Sequence, residues 1–144
     1  MGEYSFFSQH GTAQLMFHVS TYLPFKATDK QQIARKCHLG NDVLIIIWQE
    51  SDQCLFDPEM ITSQFNVSFL VVRKYIPTTP ASPLREEGSF SQEPSYRLQI
   101  VSQMGMGVVK PSLPKDGIIP ASKLRQFLVR KSTFSPPPFP REML

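Results

Sequence analysis

The segment Arg35-Lys36-Cys37-His38-Leu39-Gly40-Asn41-Asp42 gathers two permanent cations, an imidazole, a carboxamide and a carboxylate along one short stretch. A carboxamide carries one acceptor oxygen and two donor hydrogens, so a well-placed Asn41 can hold a water or a polar ligand group in a set direction. Asp42 is expected to fix the turn by accepting nearby amides. A plainer reading fits the same residues. Basic groups in a last helical turn complement the helix dipole, and Asn beside Gly is a common cap. Spacing by itself leaves both open.

The elements that must position this segment lie on either side of it. Thr28-Asp29-Lys30-Gln31 has the form of a capping box, with Thr accepting from the amide three residues on and Gln reaching back. Asp29 suits the positive end of a helix, Arg35, Lys36 and His38 suit its negative end, and Gly40 is expected as the left-handed residue just past it. A helix over residues 29–39 is predicted. Ile33, Ala34 and Cys37 are its inward candidates, with Leu39 closing the last turn, while Gln31, Arg35 and His38 share a polar side. Residues 43–48 follow with no polar break and many β-branched side chains, which predicts a central strand buried on both faces. Gly40 would free Asn41 from helical packing, and the strand would hold it still.

Elsewhere, Leu15, Phe17 and Val19 alternate with Met16, His18 and Ser20, predicting a strand over 14–20, in which His18 is expected to be structural. Asp57-Pro58-Glu59 reads as the start of a short helix reaching about residue 64. Strands are predicted over 66–75 and 96–102, and a helix over 122–131 with Leu124, Phe127 and Leu128 inward. Residues 76–94 read as a long exposed loop, 105–119 as irregular, and the chain from 132 as a Pro-rich tail. Strands and helices in this order give an α/β class, a mixed central β-sheet flanked by helices, occupying residues 1–131.

Composition narrows the function classes. The 144 residues suit one domain with a real core, and the 13 Pro cluster in linkers rather than spreading through the chain. A formal charge of +3 without clustered Lys and Arg between aromatics argues against nucleic acid. Cys37 and Cys54 have no metal-type spacing, so reduced thiols in a cytoplasmic protein are expected. Met104-Gly105-Met106-Gly107 lacks the third Gly of a phosphate-binding fingerprint. No Ser/His/Asp set or paired carboxylates can be assembled, which disfavours a self-contained hydrolase. Pro137 and Pro140 make a PxxP, read first as a stiff tail and second as a ligand for an SH3-type groove.

Met16-Phe17-His18-Val19-Ser20-Thr21, Pro24-Phe25, Gln31-Gln32, Arg35-Lys36 and His38-Leu39-Gly40-Asn41-Asp42 resemble, in order and spacing, the Rap/Ral/Rheb-type GTPase-activating domain. Trp48-Gln49-Glu50, Phe56, residues 61–65, Tyr96-Arg97-Leu98 and Leu113-Pro114 continue the resemblance over nearly the whole chain. The resemblance implies a GTPase activator rather than an enzyme in its own right. Its partner would be a small GTPase of the Rap, Ral or Rheb group, and GTP and Mg²⁺ would belong to that partner, with no cofactor of the activator's own. It implies that Asn41 is the "asparagine thumb" inserted into the GTPase, that His38 orients the thumb or touches the GTPase, and that Arg35 and Lys36 dock an acidic switch surface.

Three departures from the family pattern accompany these matches. Cys37 stands where a third basic residue is usual, and Val109-Lys110-Pro111-Ser112-Leu113-Pro114 replaces a Phe-Gly-Pro-Pro-Leu-Pro loop. The family's domain is also expected to begin upstream, so the chain is expected to be truncated at its N-terminus. A non-catalytic module that binds a GTPase or another protein, or an inactive short form, is the alternative function.

Overall fold

The buried side chains of Leu70, Val72, Leu98 and Ile119 build the centre of the molecule. The structure, a computed structural model, describes residues 5–51, 53–61, 63, 66, 68–77, 93–102 and 110–133. Two strands at the N-terminus, β1 (Phe6–His10) and β2 (Ala13–Phe17), pair antiparallel as a hairpin. Its two-residue loop turns at Gly11, whose φ of 61° is the left-handed region that Gly enters without penalty. The helix α1 (Ile33–Gly40) leads into β3 (Leu44–Gln49). Then come β4 (Ser68–Tyr75), β5 (Ser95–Ser102), the short β6 (Ile118–Pro120) and the helix α2 (Ala121–Ser132).

The main sheet runs β3-β4-β5-β6, with β3 parallel to β4 and the other two pairings antiparallel. It is therefore a mixed sheet, as the sequence predicts. Leu70 and Val72 of β4 join Leu98 and Ile119 in the buried core, and Leu124, Phe127 and Leu128 of α2 pack against them as expected. On the other face of β4, Phe69 meets Phe56 with ring centroids 5.3 Å apart, a spacing at which tilted rings attract. Lys131, at the end of α2, is only 1% exposed and donates from Nζ to the Pro111 carbonyl at 2.9 Å. Burial pushes its ammonium below the ordinary lysine range.

Several expectations are corrected. The run at 43–48 is not a central strand buried on both faces. β3 lies at the edge of the sheet, only Ile45 is buried, and Trp48 is 54% exposed. An unbroken apolar run fixes strand character but not rank in the sheet; here part of its apolar surface lines an open cleft of about 430 Å³ against β2. The expected helix after Asp57 is a single 3₁₀ turn, Pro58–Met60, with the Asp57 side chain accepting from the Glu59 amide. β1 was not expected. Residues 118–120, expected to lie partly in an irregular stretch, pair with β5 as β6. Most of the expected long loop, residues 103–109 and the chain from 134 onward lie outside the described residues.

Candidate functional site

α1 begins four residues later than its predicted start. Asp29, rather than Thr28, holds the turn ahead of the helix: its carboxylate accepts from the amides of Gln31, Gln32 and Ile33 at 3.0, 2.9 and 3.1 Å. Asp competes for nearby amides in this way and draws the chain into a turn ahead of the helix. Gln32 consequently takes a φ of 51°, and regular helix starts only at Ile33.

The helix also presents the opposite face from the one its apolar residues suggest. Ile33 is 55% exposed, Ala34 and Cys37 are exposed, and no residue of α1 is fully buried. Arg35, His38 and Leu39 turn inward instead. Arg35 donates from Nη2 to the Leu23 carbonyl at 2.9 Å and lies over the Phe25 ring, 5.2 Å from its centroid. Its long stem packs while its head finds a carbonyl and a ring face, so a cation serves as the inward anchor. Lys36 remains exposed, on the outward side with Ile33, Ala34 and Cys37. Both cysteines are free thiols.

The end of the helix differs from expectation too. Gly40 is the last residue of α1 and has no left-handed conformation; Asn41 follows at φ −93°, ψ −4°. A helix end leaves carbonyls without intrahelical partners, and a left-handed residue is only one way to satisfy them. Here side chains from beyond β3 do so. The Ser63 hydroxyl donates to the Gly40 carbonyl. The Asn66 carboxamide donates to the Leu39 carbonyl at 3.1 Å and also to the Asp42 carbonyl. The Asn41 amide turns back to the His38 carbonyl at 3.4 Å, and the Asp42 amide to that of Leu39 at 3.3 Å.

Asn41 thus stands exposed at the tip, with its neighbours' carbonyls held on both sides. Asp42 faces back into the protein, where its two carboxylate oxygens lie 2.9 and 3.1 Å from His18 Nδ1. The carboxylate therefore anchors to β2's continuation rather than to local amides. The His38 ring sits beside this pair, 5.6 Å from the His18 ring. Of the four residues singled out in the sequence, Asn41 and His38 come together at the helix end. Arg35 is drawn to the 23–25 segment, and Lys36 is left free to meet solvent or a partner.

Sequence reasoning gave His18 only a structural part and missed Ser63 and Asn66. Asn66 had been expected in a strand, yet it precedes β4 and is 6% exposed. The only sequence signal is a carboxamide just ahead of an apolar run, which does not say that the side chain is buried or which carbonyls it meets.

The chain matches the Rap/ran-GAP family model over residues 1–134. Signal-induced proliferation-associated protein 1 of Mus musculus is 34% identical over 133 residues, covering 91% of this chain and 12% of the relative. GTPase-activating Rap/Ran-GAP domain-like protein 3 of Danio rerio is 38% identical over 121 residues, covering 82% of this chain and 10% of the relative. The solved GAP domain of TSC2 superposes with a TM-score of 0.65 at 29% identity, covering 92% of this chain and 62% of that one. The chain spans about a tenth of the length of these curated relatives.

Proposed function

This chain belongs to the Rap/ran-GAP family, and on that premise we propose that it stimulates GTP hydrolysis by a small GTPase of the Rap, Ral or Rheb group, supplying Asn41 in trans. The observation that carries the reading is the exposed carboxamide at the end of α1, flanked by carbonyls that other side chains hold. Phosphoryl transfer to water asks little covalent chemistry of a protein. It asks for an oriented nucleophile and stabilised charge. A carboxamide can accept from the attacking water and donate to an oxygen of the transferring group at the same time. The GTPase brings GTP and Mg²⁺, so the activator completes an active site without owning one.

His38 orients the tip from behind, beside the His18–Asp42 pair, and Lys36 contributes charge to docking on an acidic surface. Arg35, committed to Leu23 and Phe25, acts on docking through the shape of that segment. Activators that insert an arginine give accelerations on the order of 10³ to 10⁵, or roughly 4–7 kcal/mol of barrier. A comparable gain is expected here. The test is GTP hydrolysis by a panel of Rap, Ral and Rheb proteins with and without the chain. Acceleration of one or more names the substrate. Binding without acceleration, by a chain shown to be folded, would replace this reading with that of a non-catalytic interaction module.

A further inference from the structure

A residue whose side chain must meet a reacting water needs its Cα–Cβ direction fixed, and an exposed helix end is a poor place to fix one. The last carbonyls of a helix fray unless something holds them. At this tip the carbonyls of residues 39, 40 and 42 each accept from a side chain rooted elsewhere, and all of those donors belong to Ser63 and Asn66. The carbonyls held lie on both sides of Asn41, whose own side chain stays exposed.

We propose that Ser63 and Asn66 are positioning residues that clamp the backbone on either side of Asn41 and so aim its carboxamide at the GTPase. The proposal deepens the activator reading and rests on it. Asn66 is well suited to the task, because one planar NH₂ group bridges two carbonyls three residues apart in sequence, Leu39 and Asp42. Its burial keeps the bridge still. Its Oδ1 atom is buried without a hydrogen-bond partner among the described residues. Ser63 adds the middle carbonyl, and a Cβ on Gly40 would sit 3.7 Å from the Ser63 side chain, so the two segments are in direct contact. His18 completes the hold from the other side through the Asp42 carboxylate.

The test substitutes each donor and reads rate, affinity and local order separately. Asn66→Asp keeps the shape but replaces both donor hydrogens by an acceptor facing two carbonyl oxygens. Misplacing a reacting group by about 1 Å costs about 10²-fold in rate. The maximal rate of GTP hydrolysis at saturating chain should therefore fall by about that factor, while the half-saturating concentration moves little. Ser63→Ala should lose less, and Ser63→Thr, which keeps the hydroxyl, should restore it. Amide exchange at Asn41 and Asp42 should speed up in Asn66→Asp, while the Leu98 amide, bonded to the Gly117 carbonyl, stays protected. Unchanged rate and unchanged exchange in both Asn66→Asp and Ser63→Ala would overturn the clamp. If Asn66→Asp does not fold, the Ser63 pair decides alone. A wild-type chain that accelerates no GTPase would instead overturn the activator reading, and the exchange measurement would still decide whether Ser63 and Asn66 hold the tip.

Discussion

β4 and the C-terminal end of α1 are held by different physics. Residues 68–72 of β4 are all buried, with Leu70 fully so, and the hydrophobic effect fixes the strand without regard to direction. α1 has no buried residue at all. Its end is fixed by hydrogen bonds from Ser63 and Asn66 and by the His18–Asp42 pair, each of which acts in one direction only. Apolar burial gives mass and stability; directional polar bonds give aim. Under the proposed activator reading this tip enters a partner and can bury little of itself, so aim is what the fold provides there.

The contrast breaks most visibly at Leu70. Leu70→Ala should cost about 2–5 kcal/mol, read as a shifted midpoint in urea unfolding, with activity lost only in step with the folded fraction. A variant that remained fully stable would show that β4 is not the centre of the core. Next comes Asp29→Ala, which removes the acceptor shared by the Gln31, Gln32 and Ile33 amides ahead of α1 and should cost about 0.5–2 kcal/mol. Thr28→Ala in the same assay should cost far less. The reverse order would restore the capping box and a helix starting at 29. The smallest effect sharpens the comparison at the tip itself. Gly40 is helical rather than left-handed, and an added Cβ meets Ser63 only at ordinary contact distance. Gly40→Ala should therefore gain about 0.5–1 kcal/mol, whereas a loss of stability would mean that the turn needs glycine after all.

The same contrast explains what was legible in the sequence. β5 and α2 announce themselves because burial imposes a period of two or of three to four on their apolar residues, and β4 does so by the unbroken apolar run Phe69-Leu70-Val71-Val72 of a strand buried on both faces. The run at 43–48 announces a strand but not its neighbours, so it reads as a central strand although β3 lies at the edge of the sheet. α1 misleads because Ile33, Ala34 and Cys37 look inward by type, while Arg35 and His38 are the side chains that find partners behind the helix. Asn41 stands out as a candidate through its motif. Its supports do not, since hydrogen bonds linking residues 23 and 27 positions apart leave no period to read.

The central claim is that Asn41 supplies chemistry rather than affinity. It is tested most directly by single-turnover GTP hydrolysis on the responding GTPase at saturating chain, wild type against Asn41→Ala, with binding measured on the same samples. The account predicts that the acceleration, on the order of 10³ to 10⁵, collapses toward the intrinsic rate while binding is largely kept and the variant unfolds at the wild-type midpoint. An Asn41→Ala chain that still accelerates hydrolysis as well as wild type would contradict it.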